Sequence, residues 1–484
     1  MVDRVEASKK WENHLAWFFA AAALCCAVYA VVLALRVAHF PFELDYEEGN
    51  ILNAGLRITQ GLTPYPDPHS WPIIINPYGP IAYLVTAALV KAFGVSFFAP
   101  RVESIFCAVI IVACLVLLLR RVGAAWPISL GFAALFLCNN SARNWVVSCR
   151  VDWLGLALAL MGLTVFFCLR GRTGPLIAVI LFVAALFVKV SLLAAPAVCG
   201  LYLISRRDWK QIWQCLVAGS ILAGTGFALA QWWSGGHFAF AQFGTHPDAY
   251  RLIVYLVYLE RVARTFPFLA GLSLLALIVD LRKREAALPV LYFLMAGVGA
   301  ATSGKAGSNT NHLLELYAAL CFCAGYGWRY VSAWFGERKL AAASAVVLAG
   351  TYLAMLIPFA LYRIPLDPLD DPASCVKLDQ FLRSHGNAVL TDNVGAVLLT
   401  GKPVQVSNPY VFSQLVLHAG WSDEVVRQRI HDKKFDVILL ENYAGKYTGP
   451  DARFTPGMVQ EIKQNYHVAA EFQCLDAREA YVPN

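Results

Sequence analysis

Apolar and polar residues alternate along this chain in long blocks. Apolar runs of about twenty residues, the length at which a helix crosses a ~30 Å hydrocarbon core, lie near 17–38, 103–119, 126–142, 150–169, 174–205, 212–233, 264–281, 286–303, 312–332 and 340–361. The run 174–205 is long enough for a tight helical hairpin, and a shorter apolar segment, 81–98, follows Pro80. The first run is too long for a signal-peptide core and no small-residue cleavage site follows it, so it reads as an uncleaved span. The pattern predicts an α-helical polytopic membrane protein with about 11–12 transmembrane helices. After about Leu361 its character changes. Residues 362–484 carry ordinary charge density, a turn signal at His385-Gly386-Asn387, and short apolar strands at Val389-Leu390 and 435–440. Residues 423–434 and 456–465 read as helices, the second opened by Thr455-Pro456. Strands alternating with helices predict a small C-terminal α/β domain, so the chain divides into 1–361 and 362–484.

Composition agrees with a membrane protein. Of 484 residues, 58% are hydrophobic and 15% charged, against about 25% charged in soluble domains. The net charge of +7 is dispersed in short basic clusters between the apolar runs, which fits the positive-inside rule and gives no footprint for a nucleic-acid partner. Arg120-Arg121, Arg170/Arg172, Arg206-Arg207, Arg282-Lys283-Arg284 and Arg338-Lys339 mark inner ends. Residues 39–80, 139–152, the neighbourhood of Lys189, 234–263 and 303–312 then face outward. One conflict follows: an odd number of crossings must separate 39–80 from Arg120-Arg121, yet two apolar segments, 81–98 and 103–119, lie there. Either 81–98 falls short of a full crossing or one cluster does not face inward. Eleven of the thirteen cysteines lie in or beside apolar runs, where cysteine behaves as a small hydrophobe. Cys375 and Cys474 stand in the tail. A bridge between them would suit an oxidising compartment, but nothing in the sequence brings them together, and the expectation is two isolated buried thiols.

The most informative segment is the first outer loop, 39–80. Glu43, Asp45, Glu47 and Glu48 place four carboxylates within six residues, directly after a span, with no lysine or arginine between Arg36 and Arg57. Uncompensated acids at a bilayer edge are costly and mark function. Asp45 and Glu48 are three apart, so on a helical turn they share a face, one as general base and the other as its partner. Residues 50–60 form an amphipathic interfacial helix. Pro77 and Pro80 set a rigid entry to the next helix.

An acidic cluster past the first span, a Gly61-x-x-x-Tyr65 turn and the entry Asn76-Pro77-Tyr78-Gly79-Pro80, followed by many spans and a soluble tail, resemble the GT-C glycosyltransferases. The resemblance is to the bacterial branch related to protein mannosyltransferases and the lipid A aminoarabinose transferase. Arg150-Val151-Asp152 at the start of a span, Phe187-Val188-Lys189-Val190-Ser191, and the stretch from Gly304 to His312 match further patches of that family in order; the likeness covers about residues 15–335. It implies transfer of a sugar from a polyprenyl-phosphate carrier to a glycan, lipid or protein acceptor, at the periplasmic face of a bacterial inner membrane. Asp45 matches the family's loop acid, and Glu48 stands where a second acid is expected. The family's Lys-Pro-Pro entry is absent, so Lys189, Lys305 and Arg150 are the candidates for holding the carrier phosphate. A lysine serves as a point-charge partner there. Asp152, Tyr78, Asn309, Asn311 and His312 are candidates for substrate contact, with His237 and His246 as weaker ones. Whether a divalent cation takes part stays open, as do the sugar and the acceptor.

Two other readings compete. A transporter or flippase would spread charge through broken spans related by an internal repeat, and no half-to-half repeat is present. A membrane scaffold presenting the tail as a binding domain leaves the acidic loop unexplained. The absence of a Gly-rich phosphate loop favours a lipid-linked donor over a nucleotide sugar.

Overall fold

The structure is a computed structural model that describes residues 2–169, 171, 173–245, 250–284, 287–305, 307–337, 372–441 and 453–484. The expected span at 340–361, the Arg170/Arg172 and Arg338-Lys339 clusters, the boundary between domains and His246 lie outside the described residues. The membrane part begins with α1 (Val2–Ala38), the outer-loop helix α2 (Tyr46–Thr59) and α3 (Pro80–Phe93). There follow α4 (Phe98–Arg121), α5 (Trp126–Ala134), α6 (Asn140–Val146), α7 (Val151–Cys168), α8 (Thr173–Leu186) and α9 (Ala194–Ser205). Then come α10 (Trp209–Trp233), α11 (Leu252–Thr265), α12 (Pro267–Lys283), α13 (Leu288–Gly299) and α14 (Leu314–Glu337).

Among the described residues, Asn13–Ala38, α4, α7 and α10 are each long and apolar enough to cross a membrane, and α11 with α12 forms a pair bent by 103°. Other expected spans are interrupted. The run 126–142 breaks where the Asn139 side chain accepts from the Ser141 amide at 2.7 Å and caps α6 instead of continuing α5. The run 174–205 is split by a turn carrying Lys189 into two helices that meet only near that turn, α8 packing on α7 and α10 and α9 on α13 and α7, so the expected tight hairpin does not form. The segment expected at 81–98 is the 14-residue α3, about 21 Å long at 1.5 Å per residue. It packs chiefly on α2, with Thr86 and Ala87 against Gly55. That length and partner fit the reading in which 81–98 stops short of a full crossing.

The tail consists of α15 (Ala373–Ser384), β1 (Val389–Thr391), α16 (Val394–Leu399), α17 (Pro409–Ala419), α18 (Glu424–His431), β2 (Val437–Glu441), α19 (Pro456–Asn465), β3 (Tyr466–Cys474) and β4 (Asp476–Pro483). Its sheet has the order β1-β2-β4-β3, with β1 and β2 parallel and the other pairs antiparallel. Val437, Ile438, Leu439 and Leu440 are fully buried, because helices cover both faces of β2 and an unbroken apolar run is what such a strand requires. Ile438 and Leu440 pack with Leu415, Ile430 and Ile462, while Val437 and Leu439 pack with Leu378, Leu382 and Phe472. The expectation of two isolated thiols is overturned: Cys375 and Cys474 form a disulfide that joins α15 to the end of β3. The β3–β4 hairpin brings them together, and no sequence signal marks it.

The tail is latched to the first outer loop. Ile73 N–H donates to Gln405 O (3.0 Å), Ser407 N–H to Ile73 O (3.0 Å), and Ile75 N–H to Ser407 Oγ (2.8 Å). Glu43 bridges the two parts, accepting from Gly49 N–H at 3.0 Å and Gly395 N–H at 2.8 Å. Gly49 is so close to Gly395 that a Cβ on it would stand 2.3 Å from the Gly395 nitrogen.

A second tie holds the loop to the bundle. Arg101, fully buried near the start of α4, makes a two-pronged ion pair with Glu48, Nε to Oε1 at 2.8 Å and Nη2 to Oε2 at 2.6 Å. The same guanidinium donates to Phe40 O (2.5 Å) and Phe42 O (2.7 Å), where the chain leaves α1. Glu48 also accepts from Leu44 N–H and Cys149 N–H, both at 2.7 Å.

Two outcomes follow. Replacing Arg101 with alanine leaves the Glu48 carboxylate buried and uncompensated, which costs about 3–5 kcal/mol; a lowered thermal midpoint of the detergent-purified protein measures it. The disulfide closes a loop spanning 99 positions, contributing about 4–5 kcal/mol in the chain-entropy model. The paired Cys375→Ser, Cys474→Ser variant should therefore show faster proteolysis of the tail, with no change in reducing-agent sensitivity left to lose.

Candidate active site

Asp45 begins α2 as its N-cap, its Oδ1 accepting from the Glu47 amide at 3.2 Å. An N-cap residue is not yet on the helix, so its side chain does not share the face of the residue three positions on. Asp45 faces a cavity of about 340 Å³ lined also by Tyr46, Glu47, Tyr78, Trp145, Arg150, Lys189, Ser191, Thr302, Lys305, Ser308, Asn309, Asn311, His312, Tyr410 and Gln414. Glu48 is not among them. The expectation that it partners Asp45 is corrected: its carboxylate points away, into the Arg101 ion pair. Glu47 occupies the cavity wall instead, because one residue of helix rotates the side chain by about 100°.

Four patches far apart in sequence converge here. Arg150, which leads into α7, donates from Nη1 to Asp45 Oδ1 at 2.7 Å, and its Nε lies 3.5 Å from Asp152 Oδ2. Lys189 donates to Asp152 Oδ1 at 2.5 Å. Asn311 Nδ2 donates to both Asp152 oxygens, at 3.1 and 3.2 Å. Asp152 is thus the hub that orients Lys189, Arg150 and Asn311, and it lines a smaller cavity behind the main one with Lys189, Asn311 and His312. Thr302 Oγ1 and His312 Nδ1 are 3.1 Å apart. The Tyr78-Gly79-Pro80 turn is strapped to the Lys189 turn: Gly79 N–H donates to Val188 O (3.1 Å) and Ile81 N–H to Phe187 O (3.2 Å). A Cβ on Gly79 would lie 2.0 Å from the Phe187 oxygen, so glycine is required for that approach.

The three candidate phosphate ligands differ. Lys189 is committed to Asp152, and Arg150 is shared between Asp45 and Asp152. Lys305 is exposed at the cavity rim and makes no ion pair among the described residues. Its backbone is held by a bridge to Tyr250, beside an Arg251 N–H to Gly304 O bond of 2.8 Å. Gly307, two residues on, has φ of 72°. A Cβ there would meet the Tyr410 hydroxyl at 2.0 Å.

Burial pushes the Tyr78 phenol well above its ordinary range, so it presents an O–H to the cavity. Burial likewise raises the Glu47 carboxyl, with Asp45 adding to the effect and Arg150, Asn408 and Asn50 opposing it. Asn309 spends its Oδ1 on the Thr310 amide at 2.7 Å. His237 does not line the cavity. No group of three or more His, Cys, Asp or Glu side chains placed to hold a metal ion exists among the described residues.

Sequence reasoning expected the tail to roof the cavity but missed Glu47 and the particular tail residues that line it. Tyr410 and Gln414, on α17, line the cavity from the tail, the Tyr410 ring 6.5 Å from that of Tyr46, and Asn408 at the start of that helix donates to Glu47 Oε1 at 3.0 Å. The closely packed glycines 49, 307 and 395 were the available signal, since each marks a backbone that must admit a neighbour.

Neither a protein-family model nor a curated protein sequence matches the chain. Solved structures do match. ArnT from Cupriavidus metallidurans in the apo state aligns over 94% of this chain and 97% of its own, with a TM-score of 0.64 and 11% identity. The same protein bound to undecaprenyl phosphate gives 0.62 at 11% identity over the same shares. An oligosaccharyltransferase from Archaeoglobus fulgidus, in complex with zinc and sulfate, aligns over 95% of this chain and 73% of its own, with 0.54 and 12% identity. Along almost its whole length the chain thus has the GT-C-type fold that ArnT and the oligosaccharyltransferase share.

Proposed function

We propose that this chain is a membrane glycosyltransferase that moves a sugar from a polyprenyl-phosphate carrier to an acceptor hydroxyl, with Asp45 as the base. The observation that carries the reading is one cavity in which an exposed carboxylate edge, a free lysine and an arginine shared between two acids meet at the outer loop. ArnT, of the same fold along almost its whole length, was captured with undecaprenyl phosphate, which supports a polyprenyl-phosphate donor here.

In this mechanism the donor phosphate sits against Lys305, with Arg150 and Lys189 adding positive charge from within. Asp45 Oδ1 is held by Arg150 and the Glu47 amide; Oδ2 takes part in neither contact and is available to the acceptor. It removes the proton of the acceptor hydroxyl as that oxygen bonds to the anomeric carbon. The bond from that carbon to the phosphate oxygen breaks with both electrons going to the oxygen, and the polyprenyl phosphate leaves with its added charge met by the cations. A single displacement of this kind inverts the anomeric centre. Arg150 bonds directly to the base, so it keeps Asp45 aimed while lying close enough to feel the leaving group. Fixed charges in a site shielded from water serve such a transition state without reorganising.

The reading also places the cavity on the extracytoplasmic side. The Cys375–Cys474 disulfide belongs to an oxidising compartment, and the latch puts the tail on the same side as the Asp45 loop. The positive-inside reading of the basic clusters points the same way.

Asp45→Asn should lower transfer by about 10²–10⁴-fold in membranes supplied with a panel of polyprenyl-phosphate sugars, while Asp67→Asn, whose carboxylate lies outside the cavity, keeps parental activity. Full activity in the Asp45 variant removes the central assignment. For the phosphate, Lys305→Ala should weaken carrier binding more than Lys305→Arg does, measured by titration with bare polyprenyl phosphate. Parental binding by Lys305→Ala and Lys189→Ala alike would move the phosphate site elsewhere.

A further inference from the structure

Two buried acceptors in the cavity wall make no hydrogen bond of normal geometry among the described residues. Glu47 is 3% exposed and Asn311 4%, both line the cavity, and the atoms Glu47 Oε2 and Asn311 Oδ1 are buried without a hydrogen-bond partner. Neither can escape by rotating. Glu47 is fixed through Oε1 by Asn408 of the tail, and Asn311 is fixed through Nδ2, which spans both oxygens of Asp152. That double donation also sets which end of the amide is oxygen. The nearby Asn50 amide nitrogen donates to Tyr46 O at 3.3 Å. Buried acceptors are nearly always satisfied in folded proteins, so two orphans of one kind, held rigidly in one cavity, call for a ligand that brings donors.

We propose that Glu47 Oε2 and Asn311 Oδ1 read two hydroxyl groups of the donor's sugar. The inference rests on the polyprenyl-phosphate reading above and deepens it. The ionised Glu47 carboxylate and the Asn311 carbonyl oxygen accept and do not donate, so they match the O–H donors of a polyhydroxylated ring and not the phosphate, which is itself an acceptor. The phosphate's partners, Lys305, Arg150 and Lys189, line the same cavity, so a sugar bonded to a phosphate seated on them has its ring inside the same enclosure. Glu47 comes from the outer loop and is steadied by the tail, whereas Asn311 comes from the loop before α14 and is steadied by α7 through Asp152. The sugar is therefore read from two independently anchored sides. A site that hydrogen-bonds a substrate hydroxyl discriminates strongly against a ligand that lacks it.

The test uses the full chain in nanodiscs, titrated with bare polyprenyl phosphate and with polyprenyl phosphate carrying glucose, mannose, galactose or arabinose. The parent should bind one sugar-bearing carrier more tightly than the bare one. Glu47→Gln, which puts an amide in place of the acceptor-only carboxylate, should reduce that advantage by about 10- to 100-fold and leave bare-carrier affinity unchanged, which also shows that the variant is folded. Glu47→Ala should do the same. An undiminished advantage in both variants overturns the proposal, as does equal binding of all carriers by the parent. Loss of bare-carrier binding together with the advantage overturns it too, by assigning Glu47 to the fold or the phosphate. If the parent binds no carrier of either kind, the proposed function itself falls.

Discussion

Everything at the cavity depends on the buried pair between Arg101 and Glu48. A guanidinium and a carboxylate taken out of water are stabilised only if their remaining hydrogen-bonding capacity is met. Here two carbonyls at the end of α1, two amides and the two-pronged contact itself meet it. The partners come from α1, α2, α4 and the turn before α7, so satisfying one charge fixes four segments relative to each other. Asp45 lies three residues before Glu48, and Arg150 directly follows Cys149, whose amide Glu48 holds. The acid and the arginine that face the cavity are thus carried on the immediate neighbours of groups that cannot move without exposing a charge.

The division of labour among the acids follows from the same geometry. Glu48 and Glu43 are structural, one tied to the bundle and the other spanning Gly49 and Gly395. Asp45 and Glu47 lie between them in the chain and face the cavity. Within the tail a similar economy holds Asp392: burial alone would raise its carboxyl, yet Arg478 and Arg453 at 2.9 and 2.5 Å keep it below the usual range. Arg453 also lies over the Tyr46 ring, 4.7 Å from its centroid, so the tail's charged core touches the first outer loop.

Much of this was legible in the sequence, for identifiable reasons. Spans announce themselves through length and apolarity, and the order of the acidic loop, Arg150-Val151-Asp152, the Lys189 turn and the 304–312 stretch pointed to residues that do meet in space. The choice of Glu48 over Glu47 failed because the three-residue rule assumes both residues are on a helix, whereas Asp45 is the cap in extended conformation. The β3–β4 hairpin escaped notice because it turns at Leu475, with φ of 66°, a residue that carries no turn signal. That the tail would cover the cavity was foreseeable, but that helix α17 would be the part to reach it was not. Its approach to the cavity is a contact across some 360 positions, and nothing local in Tyr410 or Gln414 encodes it.

The latch between residues 73–75 and 405–407 has a consequence for how the protein comes into being. Glu47 receives its orienting bond from Asn408, 361 positions later in the chain, and the roof of the cavity is made from the same late segment. Synthesis runs from the amino terminus, so the bundle and the acidic loop exist for some time before their cover does. A nascent chain at that stage exposes its carboxylates to water and lacks the wall that would hold a substrate. Completion of the polypeptide is therefore what closes the cavity, so its wall is whole only in finished molecules.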